Sequence, residues 1–432
     1  MKLTTYSWPV WKKFCFCFLF IYISYSIAPW YWFSELSLVS KVIGVWDKWE
    51  DQFVRYINSH VFHLWPDLVY PNGSGDTSWA WTQLCIMLCL SLILSSIWVL
   101  FFLKRTNFDK LDHWLVLFIR YSLSKALFSY GIIKLFAMQM VFPNQSQMAT
   151  SLGDYLPMRF SWLFIGYSTP YQVFSGAMEV IAGLLLLWRK TATFGVLLAI
   201  AVFTNVFMLN MAYDIPVKLY SLHLLLFSIL LSIHDCRRII NFFINSQSTQ
   251  ASTLYDYDYG SSPWLKYGRW IMKSLIIFLV TVPVINEANK YYKEFHAPIQ
   301  NTIVANGHYE VMKYSKNGTQ VPYSPLDTLT WKNIILEGKD GSLISKDSLF
   351  RQRYGRGYFA YTIDTIQSLI NMKKRATDSL PAISLNFNIL DSIHLHLSGL
   401  LKGDSIAIDL IKVNRHFPLE ERQFHWLSEY NR

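Results

Sequence analysis

Seven stretches of this chain are long and apolar enough to cross a bilayer, and no other feature restricts its fold as much. A hydrocarbon core about 30 Å thick needs about 20 mostly apolar residues per helix. The stretches are Phe14–Phe33, Trp81–Leu103, Trp114–Phe142, Tyr171–Trp188, Thr191–Ala212, Val217–Ile233 and Tyr267–Ile285. The first ends in an aromatic belt, Trp30, Tyr31 and Trp32. Lys12-Lys13 before it could open a signal peptide. The run is longer than a usual signal core and lacks a small-x-small cleavage site, so an uncleaved anchor is expected.

The seven spans do not account for the whole chain. Its 432 residues are 52% hydrophobic and 17% aromatic but only 16% charged, against roughly 25% charged in soluble proteins. The mean hydropathy of +0.22 is nevertheless modest, so the apolar spans are averaged with polar regions. Residues 34–78 form a Trp-rich, acidic outer loop with an amphipathic helix expected near 44–60. Residues 245–262 (NSQSTQASTLYDYDYGSS) are a polar, low-complexity linker. Residues 297–432, about 135 in number, suffice for a core of their own. They alternate as strands do: Tyr309–Ser315 with a turn at Asn317-Gly318, Trp331–Glu337 with Asp340-Gly341, then Ala382–Leu390, His394–Leu400 and Ser405–Val413. One helix is expected near 364–375.

The fold class is therefore an α-helical polytopic membrane protein of about seven transmembrane helices plus a C-terminal mainly-β extramembrane domain, a small sandwich or barrel. The expected domains are a transmembrane hairpin at 1–110, a four-helix core at 111–240, a linker at 241–266, a seventh helix at 267–296 and the β domain at 297–432.

The net charge of +10 does not indicate nucleic acid. Its basic residues are short clusters beside apolar runs, Lys12-Lys13, Lys104-Arg105, Arg189-Lys190 and Arg237-Arg238, not one face of a polar domain. All of them fall on one side of the membrane if the seven spans alternate. By the positive-inside rule that side is the cytoplasm. The expectation is an inner-membrane, multi-pass protein with a cytoplasmic N-terminus and a periplasmic C-terminal domain. Cys15, Cys17, Cys85, Cys89 and Cys236 show no metal-ligand spacing. Neither structural zinc nor an iron–sulfur cluster is expected.

Ionisable groups inside a span are costly and mark candidate sites. At 1.5 Å per residue, Lys134 and Glu179 lie about 12 Å inside the outer face, Asn205 about 10 Å and His223 about 9 Å. Four helices thus place a polar side chain in one layer. At the mouth cluster Asn210, Tyr213, Asp214, Lys218 and Tyr220. Asp214 can cap the sixth span, and Lys218 in its first turn opposes the helix dipole, calling for an anionic partner. Two readings stand side by side. In one, Lys134 and Glu179 neutralise each other while Asn205 and His223 tie helices together. In the other, the layer lines an outward-open ligand pocket. Arg120 and Lys125, deeper in the third span, are expected to snorkel to the inner interface. Gly176, Ala182 and Gly183 allow a neighbouring helix to approach closely.

Other chemistry finds little support. His223 is the one deep histidine, so no facing pair exists for haem. Phosphate-binding, dinucleotide-binding and nucleophile-elbow motifs are absent. His394 and His396 share a strand face without a third metal ligand.

The residues YGIIKLF (130–136), SGAMEVIAGLLLL (175–187), RKTATFG (189–195) and NVFMLNMAYDIPVKLYSLHLLL (205–226) together resemble the DoxX family of four-helix membrane proteins. The resemblance covers about residues 115–240. The end, FPLEERQFHWLSEYNR, resembles those of longer members found in Bacteroidetes-type bacteria. Gly131, Lys134, Glu179, Gly183, Asn205, Asp214, Lys218 and His223 match as family-pattern positions. The resemblance implies association with quinone-linked oxidoreductase assemblies and supplies no catalytic motif. The functional expectation is a quinone-like or other amphipathic ligand in the pocket. Lys134 and His223 would donate hydrogen bonds or relay protons, with Glu179 as counter-charge. No cofactor is expected to be bound covalently; a redox group would be a diffusible quinone or belong to a partner. The alternatives are a scaffold presenting the β domain to a periplasmic protein or lipoprotein, and a transporter, for which no inverted repeat is visible. Membrane lipids are partners in every case.

Overall fold

The computed structural model describes residues 7–34, 36–249, 263–296, 303–324, 327, 329–422 and 424–427. Most of the expected linker, and residues 297–302, lie outside the described residues. The chain forms two compact units, residues 1–139 with 170–292 and residues 140–169 with 293–432. Segment 140–169, which the sequence places within the four-helix core, belongs to the second unit.

The first unit is helical. It comprises α1 (Val10–Ile27), α2 (Ser37–Ile57), α3 (Ser78–Phe101), α4 (Asp109–Leu135), with α7 (Thr169–Leu187), α8 (Ala192–Ala212), α9 (Lys218–Phe243) and α10 (Pro263–Phe295) after the interposed segment. Among the described residues, six helices are long and apolar enough to cross a membrane: α1 with the turn after it, α3, α4, α7, α8 and α9. This is a multi-pass membrane protein. The seventh expected stretch is helical too, within α10. The expected amphipathic helix is α2, longer and earlier than 44–60.

The bundle is built around α4. More than half of its most apolar stretch, 56%, is buried inside the protein, against 22–39% for the other five. Leu115, Ile119, Leu123 and Leu127 recur at four-residue spacing on one face of α4, packed with Phe16 and Ile23 of α1, Leu186 of α7, Phe203 of α8 and Phe227 of α9. On another face Phe128 and Ile132 meet Leu187 of α7 and Ala288 of α10. Side chains satisfy both ends of α3. Thr77 accepts from the Ala80 amide at the start of α3, and Lys13 Nζ donates to the Leu103 carbonyl at 3.0 Å just beyond its end.

Among its described residues the second unit holds ten strands: β1 (Gly307–Lys316), β2 (Thr319–Gln320), β3 (Asn333–Glu337), β4 (Asp340–Leu343), β5 (Arg351–Arg353), β6 (Arg356–Asp364), β7 (Leu369–Lys373), β8 (Ile383–Ile389), β9 (His394–Leu401) and β10 (Asp404–Val413). Eight of them run antiparallel in the order β10-β9-β8-β7-β6-β4-β3-β1, and β1 pairs back onto β10, closing a barrel. Closure removes the exposed edges that an open sheet would present. Alternate residues fill the interior, among them Tyr309, Ile334, Leu336, Phe359, Ile370, Leu385, Leu397 and Ile408. The expected turn at Asn317-Gly318 is present with φ of 50° and 79°, the left-handed pair that a two-residue hairpin requires. The expected helix near 364–375 is instead a hairpin between β6 and β7. The Asp364 carboxylate accepts the Ile366 and Gln367 amides at 2.9 and 3.0 Å, so a side chain folds the turn where helix continuation was expected.

Within this unit, segment 140–169 carries α5 (Gln145–Met148) and α6 (Pro157–Tyr167) and packs on the barrel wall. Glu337 of β3 accepts the Gln145 amide at 2.8 Å, and from Ser146 the amide at 3.2 Å and the hydroxyl at 3.0 Å. Ser342 donates to Ser146 Oγ at 2.8 Å, while buried Arg356 donates to Ser342 Oγ and Asn333 Oδ1. A short helix, α11 (Pro418–Glu421), follows the barrel.

Candidate functional site

The polar layer expected inside the bundle does not meet in one place. Lys134 and Glu179 form a buried ion pair between α4 and α7. Their helices cross in close contact at glycines. A Cβ on Gly176 would lie 2.6 Å from the Gly131 carbonyl oxygen and 2.7 Å from Lys134 Cβ. Lower down, Ser124 Oγ donates to the Gly183 carbonyl at 2.9 Å. The expected close approach at Gly176 and Gly183 is thus made by α4. It leaves no room for a ligand between these helices at the glycine contacts.

The opposite face of α4 borders a cavity of about 660 Å³ within the helical unit. Lys125, Ser129, Tyr130 and Ile133 line it from α4, and Tyr22, Tyr25 and Ser26 from α1. The aromatic turn contributes Trp30, Tyr31 and Trp32, α2 contributes Trp46 and Glu50, α3 contributes Gln83 and Met87, and α9 contributes Tyr220, His223 and Phe227. Its volume lies in the range of ordinary ligand sites. The cavity sits at the bundle end where α1 and α4 finish and α3 and α9 begin.

His223 is the one member of the expected layer on this wall. Its Nδ1 lies 2.7 Å from the Leu219 carbonyl, which can only accept, so Nδ1 carries the proton. In the neutral ring Nε2 then accepts from the Tyr22 hydroxyl at 2.5 Å. A proton donor and a base are thereby held together at the cavity surface. Lys125, expected to snorkel, supplies an ammonium to the same space. Arg120, also expected at the interface, is buried at 5% exposure. Also on the cavity wall, Gln83 Nε2 donates to Tyr25 Oη at 2.8 Å and to Glu50 Oε1 at 2.6 Å. Burial pushes the Glu50 carboxyl above its ordinary range, partly offset by the Gln83 hydrogen bond.

The remaining expected residues serve helix ends or face outward. Asn205 is exposed on α8. Asn210 donates to Ser221 Oγ at 2.9 Å, tying α8 to α9. The α9 cap expected from Asp214 comes from Asp76 of the loop before α3, whose carboxylate accepts the Lys218 and Leu219 amides at 2.7 and 2.9 Å. Asp214 pairs with Lys218 Nζ at 2.7 Å, supplying an anion for that cation. Tyr213 is half-buried in the turn. His394 and His396 bond to different acids, Asp391 and Asp409. Among the described residues no group of three or more His, Cys, Asp or Glu could hold a metal, and the five cysteines are free. Sequence reasoning missed Tyr22, Gln83 and Glu50. The neutral polar residues of α1 and α3 carried no charge signal, and Glu50 lay in the amphipathic helix expected near 44–60, outside the spans in which an ionisable group marks a site.

No family model matches the chain. A stretch of 83 residues is 32% identical to the uncharacterized protein YwoB of Bacillus subtilis (strain 168). It covers 19% of this chain and 54% of that relative, so the chain spans about half the relative's length. No solved structure matches.

Proposed function

We propose that the helical unit is a DoxX-type core whose cavity binds a quinone-like or other amphipathic ligand, within an oxidoreductase-type assembly of the inner membrane. The cavity is the observation that carries this reading. Its aromatic and aliphatic walls suit a flat or chain-bearing body, while Lys125 suits an acceptor oxygen of a polar head and Tyr22 Oη, whose own proton goes to His223, suits a head-group hydroxyl that donates to it. When bound, a quinone supplies two-electron chemistry. The chain's own part is to hold the head and to move a proton at Tyr22 Oη and His223 Nε2.

Topology favours the periplasmic placement of the barrel. Segment 140–169 leaves α4, returns as α7 and folds with the barrel. Four helices, α7 to α10, separate it from β1, so both reach one side only if α10 also crosses. With basic clusters on the cytoplasmic side, that shared side is the periplasm.

The scaffold reading has its own support in the closed Lys134–Glu179 pair and in an outer unit with two interleaved segments. Native mass spectrometry of the protein extracted with its lipids separates the readings. A retained quinone or lipid, lost in His223→Phe with the fold intact, is expected. A wild-type protein that retains neither overturns the ligand reading in favour of the scaffold.

A further inference from the structure

Helix α2 has three faces, and the third is exposed among the described residues. Each helical residue rotates by about 100°. Ile43, Asp47, Glu50 and Val54 fall on the face turned to the bundle, where Ile43, Glu50 and Val54 are buried. Lys41, Lys48, Asp51 and Arg55 form a polar face. Between them runs an apolar stripe of Leu38, Val42, Val45, Trp49 and Tyr56, with Leu38, Val42 and Val45 exposed at 76%, 70% and 69%. A continuous apolar stripe beside a cationic face is the pattern of a helix lying in the membrane interface.

The chain position of α2 supports this occupant. Residues 28–36 join it to the end of the α1 span, and α3 after it is the most apolar span. The aromatic rings run on without a break from one to the other, Trp30 to Trp46 at 6.2 Å and Trp46 to Trp49 at 5.4 Å. Tryptophans concentrate at the headgroup level. The inward face is held to the bundle by Asp47, which accepts from Tyr31, and by Glu50, which accepts from Gln83.

Trp46 and Glu50 also line the cavity. We propose that α2 lies half-immersed in the bilayer interface, forming the cavity wall next to lipid, so that the ligand arrives from the bilayer. That ligand is a membrane lipid with a long apolar chain, its head passing α2 into the cavity. The access route rests on the ligand reading above; the interfacial position of α2 does not.

The test uses the full chain, with its native cysteines replaced, in vesicles of phosphatidylcholine and phosphatidylglycerol. Single Val45→Cys and Lys48→Cys variants carry an environment-sensitive fluorophore. At position 45, strong quenching by nitroxide on lipid acyl chains and weak quenching by aqueous iodide is expected, with the reverse at position 48. Equal iodide quenching at both positions overturns the interfacial placement. For the route, phosphatidylcholine with a photoreactive acyl chain is crosslinked in the same vesicles and mapped by mass spectrometry. Adducts on both the α2 stripe and cavity residues such as Met87 are expected. Adducts on the stripe with none in the cavity overturn lipid access while leaving the interfacial helix standing. Native mass spectrometry that finds a water-soluble ligand does the same.

Discussion

The two faces of α4 meet polar side chains and put them to opposite uses. Toward α7, glycines at 131 and 176 bring backbones together, and Lys134 and Glu179 are sealed as a pair. Toward α1 and α9, tyrosine, histidine and lysine side chains line a cavity. Buried ionisable residues in a membrane protein are therefore not one signal. The residues beside them decide whether charge is neutralised internally or left facing space.

The largest test of this contrast breaks the closed face. Glu179→Ala leaves a buried ammonium without its partner and should cost about 3–5 kcal/mol, read as a fall in thermal stability in detergent. The double variant Lys134→Met, Glu179→Leu should recover most of that loss. If the single variant is neutral, the pair is not sealed. Next, Gly176→Val drives a side chain into the α4 backbone and should cost about 1–3 kcal/mol, while Ser129→Val on the open face should be tolerated. Similar losses for both would erase the distinction between packed and open faces.

Smaller effects belong to the cavity. Tyr22→Phe removes the donor to His223 and should destabilise by about 1 kcal/mol, with greater loss of retained ligand than of stability. Asp76→Ala uncaps α9 and should cost about 1 kcal/mol without altering ligand retention. The smallest effect is a pH slope. Glu50 has a folded-state pKa above its unfolded value of 4.5, so the native state binds the extra proton. Its contribution is complete below pH 4.5 and is lost as pH rises through the folded value. Glu50→Gln should flatten that decline in denaturation curves above pH 4.5. An unchanged slope would place Glu50 in water.

The spans were legible because burial in lipid demands long apolar runs, which composition alone records. Strands β8, β9 and β10 were legible because alternation against a barrel interior leaves a period of two. The hairpin at β6 and β7 was not, since Asp364 makes its turn through its own side chain. In the candidate site, His223 stood out as a deep ionisable group. Tyr22 and Gln83 did not, because neutral polar residues are common in spans and become informative only through what they touch. Asp76 and Asp214 show the same limit. Both are acids near the start of α9, and distance along the chain favoured Asp214, yet the loop before α3 brings Asp76 onto the amides.

The sequence by itself determined that this chain is a multi-pass membrane protein with a β domain, since hydropathy and alternation are local properties of consecutive residues. Tertiary structure decided which polar residues share a space. It sealed Lys134 against Glu179, opened His223 onto a cavity and assigned segment 140–169 to the barrel. The physical reason is that a helix turns its successive side chains to different neighbours, and depth along its axis says nothing about which neighbour each side chain meets.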